Sequence, residues 1–429
     1  MVRREIDIGF LGAGTVGGGV LDVLIRKREQ LATAVGAELA VRKVLVRDPQ
    51  KPRSVPLPRS LLTTDPMEIL GDPSIQVVVE LIGGEEPACG YIATALESGK
   101  HVVTANKEVI AKHGARLLRL AAEHEVNLFY EASVGGGIPV IDTLRHGLVA
   151  DEIVGVEAII NGTTNFILTE MAGGRDYGQA LAEAQRLGYA EPDPRNDVEG
   201  IDAAYKLAIL ATLAFHTEVR PSDLVHVGIT NLDPKDFRYA AEMGYVVKLI
   251  AWARLADEQV EGAVYPMLIP NGHHLAAVRG VFNAILLDGD QIDKLMLYGR
   301  GAGAKPTASA VVADLCRVAH NITRSVADRV VIGDRQRTVR GFGELASRFY
   351  FRMQVADRPG VLAQIARVLG DHRVSIASVI QKETDESAGV AELVIMTHLA
   401  TEQQVERALA VIRTLEVVRD VPSFIRVER

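Results

Sequence analysis

A glycine-rich hexapeptide, Gly12-Ala13-Gly14-Thr15-Val16-Gly17, follows the first predicted strand of the chain and opens its first predicted helix. Glycines here permit a tight turn and let the backbone approach a pyrophosphate, whose charge is stabilised by the N–H groups of the helix. The hexapeptide alone is a weak signal, but its place in a strand–helix–strand unit makes it specific. We therefore expect a dinucleotide to contact Gly12, Gly14, Thr15, Val16 and Gly17, the alternative being a purely structural glycine turn.

The end of the second predicted strand, Val46-Arg47-Asp48, is the place where such a domain discriminates between dinucleotides. An acidic residue here binds a ribose 2′-hydroxyl, whereas an arginine accommodates a 2′-phosphate. Arg47 comes first and is followed by Lys51 and Arg53, so the pattern favours NADP(H), while Asp48 leaves NAD(H) possible. Lys51 and Arg53 are equally consistent with solvated loop charges.

The tetrapeptide Thr104-Ala105-Asn106-Lys107 ends another predicted strand on its carboxyl side, where open α/β sheets bind their ligands. We therefore expect Thr104 and Lys107 to lie against the cofactor. Lys107 can also reach a reacting oxygen from this place, although a surface lysine at a helix start is equally plausible.

The stretch from Gly188 to Lys206 is the most informative part of the chain. Its prolines stiffen a loop that carries Glu191 and Asp193, and Asp202 and Lys206 follow four residues apart on one face of a predicted helix. That helix continues as an apolar run and should be buried. The pattern indicates a lysine proton donor with carboxylates that hold an ammonium group, and a buried structural ion pair is the alternative.

Two glycine-rich stretches carry weaker signals. Glu131-Ala132-Ser133-Val134-Gly135-Gly136-Gly137-Ile138-Pro139 offers one carboxylate and several main-chain carbonyls, which suit a hard cation, although a hinge between domains is the preferred interpretation. Gly299-Arg300-Gly301-Ala302-Gly303-Ala304 precedes a predicted helix and could contact the cofactor a second time, with close backbone packing equally plausible.

The elements that must position these residues follow a clear order. From Ile6 to Tyr130 strands and helices alternate, which is typical of an α/β fold with a Rossmann-type doubly wound parallel sheet. Beyond Gly135 strands follow one another, which predicts an α+β catalytic and dimerisation domain. The tail has the ferredoxin-like order βαββαβ. We predict domains at 1–134, 135–324 and 347–429 and a linker at 325–346, with the helix at 306–320 packing back on the first domain.

The composition excludes several classes of protein. Of the 429 residues, 48% are hydrophobic and 24% charged, which is too apolar for a disordered chain, and the net charge of −8 argues against nucleic acid or an anionic membrane as partner. No apolar run approaches the roughly 18 residues that span a bilayer, and no secretory signal is recognisable. Cys89 and Cys316 lie far apart, so we expect no disulfide or zinc site and a cytoplasmic location.

These motifs, in this order, resemble those of homoserine dehydrogenase over essentially the whole chain. The resemblance also includes Asn161-Gly162-Thr163-Thr164-Asn165, and residues 188–206 are its most specific part. It implies NAD(P)H-dependent reduction of L-aspartate 4-semialdehyde to L-homoserine, on the path to threonine, isoleucine and methionine. In that reaction a hydride reaches the aldehyde carbon and a lysine protonates the oxygen.

The resemblance also implies roles for individual residues. Lys206 matches the proton donor of the family, and Lys107 matches a lysine near the reacting oxygen and the nicotinamide. Glu191 and Asp202 match the carboxylates that hold the amino group of the substrate. Further matches are the cofactor contacts Gly188 and Gly303, and a monovalent metal site, usually for sodium, made of Glu131 and the carbonyls of Val134, Gly136 and Ile138.

The tail resembles an ACT domain, with Asp357-Arg358-Pro359-Gly360-Val361-Leu362 at its strand-to-helix turn. Such domains bind amino acids between paired copies, so we expect a homodimer or homotetramer that binds threonine near this turn and is inhibited through the linker. A tail used only for oligomerisation is the alternative. Removal of the tail after about Gly343 should leave an active enzyme without a threonine response. No kinase-like segment precedes Ile6, so we do not expect the fused kinase–dehydrogenase form.

Two rival functions belong to other classes. A semialdehyde dehydrogenase that forms a thioester needs a cysteine at the centre of its site, whereas Cys89 and Cys316 both fall in helical patterns. A non-catalytic sensor with a nucleotide-binding fold and an ACT tail would have no need of the Asp202–Lys206 pair. Aldehyde-dependent oxidation of NADPH distinguishes the three functions.

Overall fold

A computed structural model of the chain describes residues 4–53, 55–326, 328, 335–385 and 389–428. The chain forms two compact units, and each unit is assembled from three separate stretches. The first comprises Met1–Val156, Tyr205–Pro221 and Phe282–Arg337, and the second comprises Glu157–Ala204, Ser222–Val281 and Thr338–Arg429. The chain therefore passes repeatedly from one unit to the other, and the linear domain boundaries given above stay predictions.

The strands are β1 (Arg4–Leu11), β2 (Ala37–Leu45), β3 (Leu62–Thr63), β4 (Val77–Glu80), β5 (His101–Thr104), β6 (Leu128–Phe129), β7 (Ile153–Ile159), β8 (Val225–His226), β9 (Tyr245–Ala256), β10 (Gln259–Pro270), β11 (Phe282–Gly289), β12 (Asp293–Arg300), β13 (Ala346–Ala356), β14 (Ile376–Asp385), β15 (Val390–Thr397), β16 (Ala400–Thr401) and β17 (Val418–Val427). The helices are α1 (Thr15–Arg26), α2 (Arg28–Val35), α3 (Met67–Leu70), α4 (Ala88–Glu97), α5 (Lys107–Glu123), α6 (Val140–Asp142), α7 (Gly162–Ala172), α8 (Tyr177–Arg186), α9 (Arg195–Val198), α10 (Ile201–Phe215), α11 (Pro234–Glu242), α12 (Ala304–Arg324), α13 (Val361–Asp371) and α14 (Glu402–Ile412).

The parallel sheet of the first unit has the strand order β3-β2-β1-β4-β5-β6. From β1 the chain moves outward through β2 and β3, and it then adds β4, β5 and β6 on the other side. The order reverses between β1 and β4, where Leu11 lies beside Glu80. Such a switch point opens a crevice outside the carboxyl ends of the strands, where ligands bind. This arrangement confirms the predicted doubly wound sheet.

Apolar side chains cover both faces of this sheet. Ile8, Phe10 and Val79 are fully buried, as expected for strands that lie between two layers of helices. On one face α12 packs closely against α1. The approach is so close that a methyl group added at Gly19 would lie 3.0 Å from the carbonyl oxygen of Ala304. Side chains of α12 therefore belong to the core around β1, although they come late in the chain.

The second unit joins the tail of the chain to the hairpin β9–β10. β10 pairs in parallel with β17, and the strands β17, β13, β15 and β14 follow in that order. Phe351 of β13, Ile365 of α13 and Leu409 of α14 share one apolar core. The predicted ferredoxin-like arrangement of the tail is thus confirmed. Its attachment to β10 through its last strand was not predicted from the sequence.

The helices differ from the sequence-based prediction at two places in the chain. The pattern predicts one helix over residues 16–33, whereas α1 and α2 are separate because Lys27 leaves the helical region with φ −109° and ψ 18°. No helix is predicted at α11, yet Asp233 caps it by accepting the N–H of Lys235, and Pro234 occupies its first position. An aspartate followed by proline is a helix-start signal, so this helix could have been found from the sequence.

The predicted linker is only partly described, since residue 327 and residues 329–334 lie outside the described residues. Its later part runs beside β10. The N–H of Val260 donates to the carbonyl of Thr338 at 2.9 Å, and the N–H of Arg340 donates to the carbonyl of Val260 at 2.8 Å. Over the described ranges, no helix combines the length and the hydropathy needed to cross a membrane.

Candidate active site

The three glycines of the first loop are required for different reasons. Gly12 has a φ of 104°, and a methyl group on it would lie 2.8 Å from the carbonyl oxygen of Leu81. A methyl group on Gly17 would lie 2.5 Å from the carbonyl oxygen of Gly12. At Gly14 a methyl group would meet no described atom within 4 Å. Packing therefore requires glycine at positions 12 and 17, whereas Gly14 has space beside it that a ligand could use.

The start of α1 is suited to an anion. Thr15 and Val16 open the helix, no side chain caps it, and its first turn holds no acidic residue. The leading N–H groups of a helix and the positive end of its dipole attract phosphate groups. This local geometry fits the dinucleotide-binding role that the hexapeptide predicts.

The loop after β2 distinguishes Arg47 from the charges that follow it. Arg53 donates to the carbonyl oxygens of Asp48 at 2.6 Å and Lys51 at 2.8 Å, so it serves to fold the loop. The carboxylate of Asp48 accepts the N–H of Gln50 at 2.8 Å, which is a turn-forming contact. Arg47 is exposed and makes no hydrogen bond or ion pair within the part of the chain that the structure describes. Its guanidinium group can therefore bind a ligand.

The two candidate lysines both belong to the first unit, and a side-chain contact connects the helices that carry them. Lys107 is the first residue of α5, and Lys206 is only 8% exposed on α10. The ammonium group of Lys112 on α5 lies 5.6 Å from the ring centre of Tyr205 on α10. Helix α10 is buried along most of its length, as its apolar pattern predicts. An ammonium group in such a place is costly unless it is paired or functional.

Asn161 organises two carboxylates of the second unit. Its amide nitrogen donates to Asp197 at 2.7 Å and to Asp202 at 2.9 Å, and its amide oxygen accepts the N–H of Thr164 at 2.8 Å. Asn161 and Asp202 are both buried. One side chain thus caps α7 and orients Asp202. Asparagine before Gly162 is a recognisable helix-cap signal, but its contact with Asp202 could not be inferred from the sequence.

The loop between α8 and α9 leaves Glu191 exposed and engages Asp193. Asp193 forms a surface ion pair with Arg195 at 2.6 Å, and the hydrogen bonds from Arg195 lower the pKa of Asp193 to about 2. The carboxylate of Glu191 accepts no hydrogen bond from any residue that the structure describes. Gly188 has a φ of 75°, and a methyl group on it would meet nothing within 4 Å. Of the two acidic side chains, Glu191 is the one that can bind a substrate.

The carboxylate of Glu131 is buried at the start of α6. It accepts the N–H groups of Ile141 at 2.9 Å and Asp142 at 2.7 Å, and the N–H of Glu131 donates to Asp314 at 2.9 Å. Burial raises the pKa of Glu131 to about 7, although the two N–H donors counteract it. Burial and the charge of Glu131 also raise the pKa of Asp314. Two carboxylates in one buried place favour a nearby positive charge.

The loop after Glu131 presents main-chain oxygens without donors. Val134 and Gly136 are buried, and their carbonyl oxygens accept no hydrogen bond from the described residues. The carbonyl of Ile138 accepts the N–H of Val140 at 2.8 Å. Nearly all buried carbonyls in proteins find a donor, so these two are exceptional. Their chemistry, together with the Glu131 carboxylate, fits a hard cation.

Close packing explains part of the second glycine-rich stretch. A methyl group on Gly136 would lie 2.5 Å from the carbonyl oxygen of Gly301, and one on Gly301 would overlap the side-chain amide of Asn283. Gly303 precedes α12 with a φ of 120°. Packing therefore accounts for Gly301, and a cofactor contact at Gly303 stays a prediction.

Neither cysteine has the surroundings of a nucleophile. Cys89 is buried on α4, where Arg116 donates to its sulfur at 3.2 Å, and Cys316 is half-buried on α12. Burial raises the pKa of both thiols, which opposes formation of the reactive thiolate. The thioester mechanism of a semialdehyde dehydrogenase is therefore not supported.

Models of known protein families match most of the chain. Residues 12–131 match the family model of the homoserine dehydrogenase NAD binding domain, residues 139–316 match that of homoserine dehydrogenase, and residues 349–417 match that of the ACT domain. Relatives named homoserine dehydrogenase from Bacillus subtilis and Synechocystis sp. are 40% and 42% identical, and the matches cover 99% and 98% of this chain and 99% of each relative. The chain belongs to the homoserine dehydrogenase family.

Solved structures of homoserine dehydrogenases are also similar to this chain. One from Thiobacillus denitrificans is 41% identical with a TM-score of 0.91, and the match covers 99% of this chain and 98% of that one. A hyperthermophilic archaeal homoserine dehydrogenase in complex with NADPH is 27% identical with a TM-score of 0.64, over 76% of this chain and 100% of its own. As a member of this family the chain is an oxidoreductase of amino-acid biosynthesis, which confirms the predicted activity.

Within the homoserine dehydrogenase fold, the predicted site residues are divided between the two units. Those in the first unit are Gly12, Gly14, Thr15, Val16, Gly17, Arg47, Thr104, Lys107, Glu131, Val134, Gly136, Ile138, Lys206 and Gly303, and those in the second are Gly188, Glu191 and Asp202. The role of each residue stays a prediction.

Proposed function

We propose that the chain reduces L-aspartate 4-semialdehyde to L-homoserine with Lys206 as the proton donor. The observation that carries this proposal is the burial of Lys206 on α10, one helical turn after the buried Asp202. The reduced nicotinamide supplies a hydride to the aldehyde carbon when it is bound. Lys206 gives a proton to the oxygen atom, and the positive charge of Lys107 stabilises the negative charge that develops there.

Asp202 and Glu191 are proposed to hold the ammonium group of the substrate. Asp202 is buried and accepts the amide N–H of Asn161, and a carboxylate can accept several donors at once. Glu191 is exposed and accepts no hydrogen bond from the described residues, so its carboxylate is accessible to an ammonium group. Contacts between ammonium and carboxylate groups are the strong, charge-assisted kind of hydrogen bond. Glu191→Gln should therefore raise KM for the semialdehyde more than it lowers kcat.

The proton-donor role is tested by Lys206→Ala. We expect kcat to fall roughly 100-fold or more, which is the usual contribution of a positioned proton donor, while NADPH binding measured by its fluorescence stays unchanged. Lys294→Ala, which removes an exposed lysine from β12, is the control and should keep its turnover. Near-normal kcat in Lys206→Ala would mean that this lysine is only a structural partner.

The preferred cofactor is proposed to be NADP(H), bound at its 2′-phosphate by Arg47. The exposed guanidinium group without a partner among the described residues supports this proposal, and one archaeal relative has been solved with NADPH. Arg47→Ala should raise KM for NADPH about 10-fold or more, as expected for a charge-assisted hydrogen bond, and change KM for NADH little. Equal effects on both cofactors would assign cofactor selection to Asp48.

We also propose a monovalent cation, most simply Na⁺, held by Glu131 and the carbonyls of Val134, Gly136 and Ile138. The two buried carbonyls without donors and the raised pKa of Glu131 support it. Na⁺ should raise the thermal unfolding temperature relative to tetramethylammonium at equal ionic strength, because it binds only the folded chain. Glu131→Gln should abolish that difference, and an Na⁺ effect that survives the substitution would place the cation elsewhere.

For the tail we propose regulation by threonine and assembly through paired copies. Helix α13 starts after Gly360 with no side-chain cap, so the N–H groups of the turn near Leu362 can bind a carboxylate. Strand β14 is the last in its sheet and offers an edge for pairing with another copy. Calorimetry of the full chain with millimolar threonine and sedimentation with and without it test both statements. A monomer that binds no threonine would contradict both.

A further inference from the structure

A carboxylate with no role in the reaction above is buried at the switch point of the parallel sheet. Glu80 is the last residue of β4, where it lies beside Leu11 of β1 and Thr104 of β5. Its side chain has no exposed surface. It therefore occupies the carboxyl edge of the sheet, between the strand that leads into the glycine loop and the strand that leads to Lys107.

Both carboxylate oxygens of Glu80 accept hydrogen bonds from neutral donors. One oxygen accepts the N–H groups of Ile82 at 2.7 Å and Gly83 at 3.3 Å, and the other accepts the hydroxyl of Thr104 at 2.6 Å. It forms no ion pair with the residues that the structure describes. Burial of a carboxylate is costly unless several donors compensate it, and here three donors surround Glu80 and hold both of its oxygens in place.

The hydrogen bonds continue from Glu80 to the start of α5. The hydroxyl of Thr104 donates to Glu80, and its oxygen accepts the N–H of Asn106 at 3.0 Å. The amide nitrogen of Asn106 donates to the carbonyl of Gly84 at 2.7 Å, and its amide oxygen caps α5 by accepting the N–H of Val109 at 3.2 Å. The loop after β4 and the first turn of α5 are thereby joined.

A second attachment lies about two turns further along α5. The carboxylate of Glu85 binds Lys112 at 2.7 Å and His113 at 2.7 Å, and these two partners lower its pKa. The loop over residues 82–85 therefore holds α5 at its N-cap and again about two turns later. Lys107, the first residue of α5, lies between these attachments.

We propose that Glu80 is a positioning residue for the reduction, acting through Thr104 and Asn106 to set the place of Lys107 at the carboxyl edge of the sheet. The inference rests on the proposed function, since it assumes that Lys107 stabilises the reacting oxygen. Displacement of a catalytic group by about 1 Å costs up to roughly 100-fold in rate, so loss of this anchor should appear in kcat rather than in folding alone.

The substitution Glu80→Gln tests the proposal. Glutamine has the same shape, but one of its two acceptor oxygens is replaced by an NH₂ group, which donates. This NH₂ group would face either the N–H groups of Ile82 and Gly83 or the hydroxyl of Thr104. In both cases the substitution removes an acceptor that Glu80 provides. We expect kcat to fall roughly 10- to 100-fold with little change in KM for the semialdehyde. Glu97→Gln, an exposed glutamate of α4, is the matched control and should be unaffected.

Substitution of Thr104 keeps the proposal testable if Glu80→Gln folds poorly. Thr104→Val has the same shape without the hydroxyl and should lose kcat to a similar extent, whereas Thr104→Ser retains the hydroxyl and should restore most of it. Equal activity of the valine and serine variants would overturn the proposal, because the hydroxyl is the link between Glu80 and Asn106.

A double-mutant cycle with Lys107→Ala separates this inference from the proposed function. If Glu80 acts through Lys107, Glu80→Gln should lower kcat much less in the Lys107→Ala background than in the wild type. Full additivity of the two substitutions would overturn the positioning role and leave the role of Lys107 intact. A normal kcat in Lys107→Ala alone would overturn both.

Discussion

Replacement of Arg352 by methionine should destabilise the protein by about 3–5 kcal/mol, the usual cost of removing one partner from a buried ion pair. Arg352 lies on β13 in the tail and is 1% exposed. It donates to Asp236 of α11 at 2.7 Å and 3.2 Å and to Glu392 of β15 at 3.1 Å. Asp236 and Glu392 are themselves 0% and 5% exposed, so both carboxylates would remain buried without this cation.

One neutral partner of Asp236 remains in the variant, because the hydroxyl of Tyr350 donates to its carboxylate at 2.9 Å. This contact does not replace the positive charge of Arg352, so the loss of stability should remain large.

Urea unfolding of Arg352→Met and of the wild type measures the difference in the free energy of unfolding. Arg367→Met is the control, because Arg367 lies on α13 of the same tail with its side chain 85% exposed and 3.9 Å from Asp371. It should change the free energy of unfolding by less than about 0.5 kcal/mol. The triple variant, which combines Arg352→Met with Asp236→Asn and Glu392→Gln, should regain much of the lost stability, since none of these three positions then carries a buried charge. A loss below about 1 kcal/mol in Arg352→Met, or no regain in the triple variant, would refute the reasoning.

The same contacts change the expectation for a truncated chain. The sequence predicts that removal of the tail after about Gly343 leaves an active enzyme. In the structure, however, the tail pairs β17 with β10 and supplies Arg352 to Asp236 of α11. Truncation would expose an edge of β10 and leave a buried carboxylate without its cation, so we expect a destabilised protein rather than an unregulated one. Threonine regulation is therefore better tested with point variants of the full chain.

Further predictions concern burial and close packing. Lys248 on β9 is 5% exposed, and burial lowers its pKa from 10.5 to about 8, so the unfolded chain keeps a proton that the folded chain releases. Between pH 8 and pH 10 the wild type should gain roughly 2–3 kcal/mol in urea unfolding relative to Lys248→Met, and parallel pH profiles would contradict this. Gly17→Ala should lower the unfolding temperature because its methyl group meets a carbonyl at 2.5 Å. Gly14→Ala should keep that temperature and weaken NADPH binding in a fluorescence titration, and unchanged affinity would place the pyrophosphate elsewhere. Replacement of both Cys89 and Cys316 by serine should leave kcat intact, and its loss would revive a thiol mechanism.

The sequence by itself determined the features that depend on local pattern. The alternation of apolar runs and helical patterns predicted the parallel sheet, because each strand and helix carries its own periodicity. The hexapeptide from Gly12 to Gly17 predicted a dinucleotide loop, because its turn and its helix start are contained in six residues. The apolar run after Lys206 predicted a buried helix in the same way. The resemblance to homoserine dehydrogenase then supplied the reaction.

Only the tertiary structure decided which distant groups meet. Glu80 stands in an apolar strand, and its partner Thr104 follows 24 residues later. Asp202 is oriented by an asparagine 41 residues before it, and Arg352 binds a carboxylate 116 residues away. Periodicity specifies which face of a helix or strand is buried, but not which element will cover that face. The partners of buried charges are therefore set by the packing of whole elements, and they can be assigned only after the elements are in place.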